Sequence, residues 1–369
     1  MTQPATTTKP LTIAVGMSGG VDSSVTAWLF KQKGHHVVGV TMSIWDGSID
    51  LPDEGRSGCF GPGEARDLEC ARAVAARLGI QHITVPLAEA YRRCVLDPFR
   101  ASYRAGRTPN PCVVCNQLVK FGALLDQTRA IGVAFDSFAT GHYARVTFDA
   151  SRSIYTLHRG VDKTKDQSYF LARLTQAQLR QVLFPLGGMV KSDVVKLARE
   201  AGLGDIADRD ESQDFIESDS YAPLFDKSDD RPGPLVDTTG RVLGQHRGLV
   251  HYTVGQRQGL GVATGERLYV KELRPSDNTV VLGRHDEVFS PACRVESVNW
   301  ISGTPPSGEI TCFVRLRYRH PGVQTQLRPL PDGDWLATFA EPQFAVAPGQ
   351  AAVFYKDDEV LGGGWIAPV

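Results

Sequence analysis

The chain has 369 residues, more than one hydrophobic core usually organises, so two or three domains are expected. With 42% apolar and 22% charged residues and a formal net charge of −1, the composition is globular and excludes a strongly basic nucleic-acid binder. No run approaches the roughly 18 uninterrupted apolar residues of a membrane span, because Gly16, Ser18 and Asp22 break the first apolar segment. The opening MTQPATTTKP has neither an apolar h-region nor an Arg-rich amphipathic pattern. Residues 1–10 are therefore expected to be a disordered tail on a cytoplasmic protein without membrane attachment.

From Leu11 onward, short apolar runs alternate with helical patterns. LTIAVGM reads as a strand, a helix opens at about Val21, and HVVGVTMSIW reads as the next strand. After a Gly/Pro-rich loop, GEARDLECARAVAARLGI puts Leu68, Ala71, Val74, Ala75 and Leu78 on one helical face, with HITVPL as the strand that follows. A further apolar run comes at FDSFATGHY. Strands separated by helices of this length predict βαβ units and a doubly wound parallel sheet over residues 11–150.

Residues 151–233 turn mainly helical, with LTQAQLRQVLF and KSDVVKLAREAGL as candidates, and predict a small helical domain. From about 234 to 369, short apolar runs recur between Gly, Pro and Asp turns: RLYVKEL, NTVVLGR, EITCFVRLRYR, WLATFA and QAAVFY. Closely spaced strands without helices predict an antiparallel β-barrel. Arg315, Arg317 and Arg319 at period two would share one strand face, either to meet a polyanion or as a solvated surface.

The near-neutral total conceals a separation of charge. Residues 91–200 carry 17 Lys/Arg against 8 Asp/Glu, and residues 201–230 carry 2 against 10. The first stretch could attract a polyanion that the second repels, or the two surfaces could simply neutralise each other.

Seven cysteines, an odd number in a chain this long, do not make a disulfide framework. Cys112 and Cys115 form the one C-x-x-C, a spacing that suggests metal, cluster or sulfur chemistry, or else two buried thiols. Cys59 follows the second strand and is expected near the carboxyl edge of the sheet, where open α/β folds bind ligands. Cys70, Cys94, Cys293 and Cys312 fall inside helix or strand patterns and read as packing residues.

The strongest local signal is Gly16-Met17-Ser18-Gly19-Gly20-Val21-Asp22-Ser23-Ser24, directly after the first strand and opening the first helix. Adjacent glycines admit an anion close to the backbone, and Ser18, Ser23, Ser24 and the helix N-terminus offer donors to phosphate oxygens. The sequence is neither a Walker A motif nor a Rossmann fingerprint. It resembles the PP-loop of ATP pyrophosphatases, which split ATP between its α and β phosphates and adenylate an oxygen of a second substrate.

Further segments resemble the bacterial and mitochondrial tRNA-specific 2-thiouridylases. These are Arg107-Thr108-Pro109-Asn110-Pro111-Cys112-Val113-Val114-Cys115-Asn116, Lys120-Phe121, Ala139-Thr140-Gly141-His142-Tyr143, Lys165-Asp166-Gln167-Ser168-Tyr169-Phe170-Leu171, Leu249 to Gly261, and Pro348-Gly349-Gln350-Ala351-Ala352-Val353-Phe354-Tyr355. The resemblance runs in order from about residue 11 to the C-terminus. It implies a PP-loop domain at 11–150, a helical tRNA-contacting domain at 151–233 and a β-rich region with a barrel at 234–369. The implied activity is ATP- and Mg²⁺-dependent 2-thiolation of the wobble uridine of tRNA: ATP adenylates the C2 oxygen, and a thiolate-borne sulfur then attacks C2.

The resemblance also assigns residues. Cys115 becomes the nucleophile, with Cys112 and Asp22 in the catalytic set. Gly16, Met17, Ser18, Gly19, Gly20, Val21, Asp22 and Ser23 would hold ATP together with Met42 and Gly141. Asn110, Pro111 and Cys112 would meet the target base, and His142, Lys165, Asp166, Gln167, Arg317, Tyr318 and Gln350 would contact tRNA. From the residues alone, His142 could equally be a core histidine, and Lys165 and Asp166 a surface ion pair.

One departure concerns sulfur. Better-known members carry a second, persulfide-bearing cysteine in a D-S-x-x-x-C-F-I segment, whereas this chain reads Glu211-Ser212-Gln213-Asp214-Phe215-Ile216, and Cys112 stands where those members have aspartate. Cys59, Cys112 and Cys115 are therefore expected to hold a [4Fe-4S] cluster with one iron open to sulfide, as an alternative to a persulfide relay fed by an external sulfur donor. Two other readings are a different PP-loop adenylating synthetase, against which stands the absence of a recognisable glutaminase segment, and a tRNA-binding protein with an inactive loop.

Overall fold

Ile13, Ala14 and Val15 have no solvent exposure, as a central parallel strand covered on both faces requires. In the computed structural model of the chain, residues 9–51, 58–207, 214–262 and 265–368 are described. The expectations for a tail at residues 1–8 and for Glu211, Ser212 and Gln213 fall outside them. The chain forms two compact units: Met1–Ala90 with Asn116–Ser168 and Gln176–Glu217, and Tyr91–Cys115 with Tyr169–Thr175 and Ser218–Val369.

The chain starts with β1 (Thr12–Gly16), α1 (Val21–Gln32), β2 (His36–Ser43), β3 (Gly58–Phe60), α2 (Glu64–Leu78) and β4 (Gln81–Pro86). The expected face of α2 is the packed one: Ala71, Val74, Ala75 and Leu78 are buried and Leu68 is half-buried. Next come α3 (Ala88–Tyr91), α4 (Asp97–Arg104), α5 (Pro111–Val114), a π-helical stretch at Cys115–Ala123, α6 (Leu124–Ala130) and β5 (Ser137–Ala139).

Between 144 and 217 the structure departs from the helical reading, because the hairpin of β6 (Ala144–Asp149) and β7 (Ile154–Arg159) comes first. Then follow α7 (Ser168–Leu171), α8 (Gln176–Gln181), β8 (Val182–Leu183), α9 (Lys191–Glu200), α10 (Gly204–Ala207) and β9 (Asp214–Ile216). LTQAQLRQVLF thus divides into a short helix and a strand. Its apolar end is too short for periodicity to separate the two, and burial beside β5 decides for the strand.

In the first unit the parallel sheet has the order β4-β2-β1-β5-β8. Ala14 is flanked by Val38 on one side and Phe138 on the other. Because β2 and β5 lie on opposite sides of β1, the topological switch point falls at the carboxyl ends of β1 and β5, where Gly16 and Ala139 end their strands. Helices α1, α2 and α9 share one core, in which Val21, Val25, Val74, Val194 and Ala198 are buried.

In the second unit, β10 (Gly233–Val236), β11 (Val242–His246), β12 (Leu268–Arg274) and β13 (Thr279–Arg284) form a sheet of order β11-β10-β13-β12, with Leu235, Val270, Val280 and Leu282 inside. The last strands are β14 (Phe289–Trp300), β15 (Ile310–Arg315), β16 (Val323–Pro329), β17 (Trp335–Phe344), β18 (Ala351–Lys356) and β19 (Glu359–Ala367). They run in the antiparallel order β14-β17-β16-β15-β18-β19, and β14 pairs with β19 to close the expected barrel. Closure leaves none of the six strands with an unpaired edge.

The Arg315, Arg317 and Arg319 array is corrected by where β15 stops. The strand ends at Arg315, and the His320 N–H bonds to the Arg317 carbonyl at 3.0 Å in the turn beyond it, so the three guanidinium groups do not share a strand face.

Candidate active site

The loop after β1 is held by backbone rather than by bulk. The Met17 N–H donates to the Val40 carbonyl at 2.9 Å, and the Met17 carbonyl accepts from Thr41 Oγ1 at 2.7 Å. Gly19 has φ +77°, and a Cβ there would lie 2.8 Å from Cys70 Cβ, so both conformation and space demand glycine. Gly20 is the N-cap of α1 and offers no side-chain cap. The Ser23 and Ser24 hydroxyls turn back to the Gly20 carbonyl at 3.0 and 2.8 Å, while Ser23 Oγ accepts the Ser18 N–H at 3.2 Å. With its first-turn amides uncapped by a side chain, α1 presents the partial positive charge of its N-terminus at the carboxyl edge of the sheet.

Asp22 is the second residue of α1. Its Oδ1 accepts the Tyr143 hydroxyl at 2.8 Å and the Lys191 ammonium at 2.7 Å. The segment after β5 closes on the same place, for a Cβ on Gly141 would come within 2.8 Å of Asp22 Cβ. Met42 lies near the end of β2, opposite Val85, and is half-buried. The loop, Met42 and Gly141 are thus all at the carboxyl edge that the topology marks out.

His142 is buried, with Nδ1 at 2.6 Å from Thr140 Oγ1 and its ring in a cluster with Phe121 and Phe184. Burial, aided by the Lys120 charge, holds its pKa well below the usual histidine value, so the ring stays neutral. Asp166 is also buried and accepts the Gly160 and Ser168 N–H groups at 3.2 and 3.1 Å, while Gln167 Oε1 accepts the Tyr143 N–H at 3.1 Å. Lys165 is half-buried, and its N–H donates to the Asp162 carbonyl at 3.2 Å. These residues shape the chain around Tyr143 from within.

In the second unit, Asn110 caps α5, its side chain accepting the Val113 N–H at 3.2 Å, and Pro111 occupies the first helical position, where a missing N–H costs nothing. Cys112 and Cys115 follow, half-buried. Gln350 Nε2 donates to the Thr108 and Pro109 carbonyls at 3.0 and 3.3 Å, so it braces the segment leading to the cysteines. The buried Tyr169 hydroxyl donates to the Ala351 carbonyl at 2.8 Å. Burial pushes its pKa far up, against the Arg315 charge and a hydrogen bond with Asn110. The Arg315 guanidinium lies 5.9 Å from the ring centroids of Tyr169, Tyr318 and Tyr355. Tyr318 packs on Phe170, and Arg317 is exposed.

Cys59 is exposed on β3, which pairs in parallel with β9 so that Gly58 faces Asp214 and Phe60 faces Ile216. Surrounding protein raises its thiol pKa, Lys120 opposes that rise, and Asp67 and Glu217 add to it. The buried Glu217 accepts the Gly63 N–H at 2.8 Å and so ties the end of β9 to the loop after Cys59. Among the described residues, no three His, Cys, Asp or Glu side chains come together in a way that could hold a metal ion. Cys59 lies on β3 in the first unit, and Cys112 and Cys115 stand three positions apart around α5 in the second.

Sequence reasoning missed Tyr143, Lys191 and Glu217. Tyr143 ended a motif already singled out, and Lys191 opened a helical pattern that displayed only its amphipathic face. Nothing local marked Glu217.

A glycine turn behind an uncapped helix N-terminus, at the switch point of a parallel sheet, defines a nucleotide-binding α/β protein. A family model described as "tRNA methyl transferase HUP domain" matches residues 11–217, a PRC-barrel domain model of the same series matches 224–284, and an "Aminomethyltransferase beta-barrel domain" model matches 290–366. The chain is 42% identical over 357 residues to the tRNA-specific 2-thiouridylase MnmA of Endomicrobium trichonymphae, covering 96% of this chain and 98% of that protein. It is 44% identical over 364 residues to its namesake from Magnetococcus marinus, covering 97% and 99%. The chain belongs to the tRNA-specific 2-thiouridylase family.

Among the described residues, no helix is long and apolar enough to cross a membrane.

Proposed function

We propose that this chain is an ATP-dependent tRNA uridine 2-sulfurtransferase acting on the wobble uridine in the cytoplasm. The observation that carries the reading is the uncapped N-terminus of α1 with Asp22 beside it, in a chain whose nearly full-length relatives are named 2-thiouridylases. The methyl-transfer wording of the family model has no counterpart in those relatives' names.

The uridine C2 oxygen attacks the α-phosphorus of ATP, and pyrophosphate leaves with the electron pair of the broken P–O bond. The first-turn N–H groups of α1 and the α1 dipole face the phosphates, with Gly16 to Gly20 shaping the turn before them, while Met42 and Gly141 line the nucleoside side. Asp22 suits Mg²⁺, which commonly takes one or two carboxylates together with substrate phosphates and would offset the charge of the departing pyrophosphate.

The terminal sulfur of a persulfide on Cys115, loaded by an external persulfide donor, attacks C2 and AMP departs. The Cys112 thiolate then attacks Cys115 Sγ. The S–S bond breaks with its electrons on the sulfur now at C2, which becomes the thiocarbonyl, and an external thiol reduces the Cys112–Cys115 disulfide. Asn110 and Pro111 present the base beside these thiols.

For tRNA, we assign Arg317 and Tyr318 to direct contact. His142, Asp166 and Gln167 act by fixing the backbone around Tyr143, Gln350 by bracing Thr108 and Pro109, and Lys165 belongs to the tRNA-contacting stretch 151–233. No step is routed through an iron–sulfur cluster.

The test is the dependence of ATP cleavage on RNA. AMP and pyrophosphate should form only with tRNA carrying a wobble uridine, and 2-thiouridine should appear there. ATP cleavage driven equally by a small amide acceptor would point to another adenylating synthetase, and tRNA binding without cleavage to an inactive loop.

A further inference from the structure

Strands β4, β2 and β1 are neighbours in the parallel sheet, and their register sets His82, Gly39 and Val15 in one row. Paired residues of parallel strands point to the same face, as do residues two apart on one strand. Thr41 therefore shares a face with His82 and Val15. Val15 and Met17 are buried in one core with Ala71 and Val74 of α2, so this is the face that α2 covers. Gly39 leaves room on it, because a Cβ there would come 2.5 Å from Met17 Sδ.

A polar chain crosses that face. The buried Thr41 hydroxyl donates to the Met17 carbonyl at 2.7 Å, and the same oxygen lies 2.8 Å from His82 Nε2. A hydroxyl has one proton to give, so with that proton on Met17 the Thr41 oxygen accepts from His82, whose hydrogen is then on Nε2. Burial, with the Arg72 charge second, lowers the His82 pKa, so the ring is neutral near neutral pH and carries that one N–H. The Met17–Ser18 peptide is planar and trans, and pinning its carbonyl towards Thr41 turns the Ser18 N–H the opposite way. There it donates to Ser23 Oγ at 3.2 Å, and the Ser23 hydroxyl donates in turn to the carbonyl of Gly20, the N-cap of α1, at 3.0 Å. Hydrogen bonds linked in this way polarise and reinforce one another.

We infer that Thr41 and His82 are positioning residues of the nucleotide site, which hold the turn before α1 in its phosphate-binding shape through Met17, Ser18 and Ser23. This rests on the reading of the loop as the ATP site. Neither residue touches the nucleotide. Without the hydroxyl of Thr41 the Met17 carbonyl loses its donor, the Met17–Ser18 peptide is free to turn, and the bond that ties Ser18 to the first turn of α1 loosens with it. Binding phosphate would then have to order the turn as well, and affinity falls by that ordering cost. His82 acts one link further back, by fixing the direction in which the Thr41 hydroxyl points.

The test uses the full chain with ATP and inorganic pyrophosphate as probes. Thr41→Val is expected to weaken binding of both about tenfold, the scale of one buried hydrogen bond, while AMP formation at saturating ATP and tRNA changes less and tRNA affinity stays as in the wild type. Thr41→Ser keeps the hydroxyl and should bind both probes nearly as the wild type does. His82→Phe should weaken them by a smaller factor, and His82→Gln, which offers an amide N–H, should recover part of that loss. Because removing Thr41 already disconnects His82, the double variant Thr41→Val with His82→Phe should bind no worse than Thr41→Val alone. Should the valine variant not fold, the pair His82→Phe and His82→Gln carries the same readout at a half-buried position. Folded variants with wild-type pyrophosphate affinity, altered only in melting temperature, or losses that simply add in the double variant, would overturn the inference and leave the ATP site standing. A wild-type chain that binds neither ATP nor pyrophosphate would overturn the ATP reading itself.

Discussion

At Asp22 a single carboxylate serves the loop, Tyr143 and Lys191 together. Asp22→Asn keeps the shape and removes the charge. Thiolation should fall by about 10²–10³-fold while tRNA binding persists, and sulfur incorporation near the wild-type rate would refute the role given to this residue. The buried, neutral His142 supplies a test by pH. Its folded pKa is depressed, so below about pH 6.5 the unfolded chain takes up a proton that the folded chain refuses. Stability from this group is complete above that pH and declines by up to about 1.4 kcal/mol per pH unit below it. Denaturant unfolding at pH 7.5 and 5.5 should therefore show a shallower pH dependence for His142→Gln than for the wild type; parallel curves would count against it. Residues 16–24 were legible because loop, glycine turn and helix start are consecutive. Lys191 was not, since it lies 169 positions from Asp22 in sequence and only the packing of α9 on α1 brings it there.

Among elements, the strands between helices were read correctly because period and length agree for β1, β2 and β4 and for α1 and α2. The strands β7, β8 and β9 were hidden in a region read as helical, and β9 has only three residues, too few for any pattern. Its parallel pairing to β3 sets Cys59 beside the Asp214–Ile216 segment, the region in which better-known members have their second thiol. That gives Cys59→Ser diagnostic value. In the Cys115–Cys112 scheme this variant retains much of its thiolation and neither protein needs iron. Loss of activity in Cys59→Ser, together with loss of the iron that anaerobically prepared wild type holds, would instead support the three-cysteine cluster. The segment before α5 makes a separate prediction. Gln350→Ala removes two hydrogen bonds to the Thr108 and Pro109 carbonyls, so stability should drop by about 1–2 kcal/mol and thiolation should fall more than ATP affinity. Equal loss of both would contradict a purely local bracing role.

For the whole molecule, composition predicted several domains but not where charge would be used. The near-neutral total hides a surplus of nine positive charges over residues 91–200, and the expected arginine array at Arg315 to Arg319, read as a polyanion contact or a solvated strand face, ends in a turn. Arg315 is engaged with three tyrosine rings, which leaves the exposed Arg317 as the better candidate for the RNA backbone. Arg317→Ala should weaken tRNA binding and reduce the salt slope by about 0.7–0.9, with turnover at saturating tRNA changed less. An unchanged slope across a salt series would mark Arg317 as a solvated surface residue.

The central claim, adenylation of the uridine C2 oxygen before sulfur arrives, is tested most directly by following that oxygen. tRNA carrying oxygen-18 at C2 of the wobble uridine is incubated with the chain, ATP, Mg²⁺ and a persulfide donor, and the AMP is examined by mass spectrometry. The account predicts one labelled oxygen in AMP for each 2-thiouridine formed. Thiolated tRNA accompanied by unlabelled AMP, with the label in water or phosphate, would contradict it.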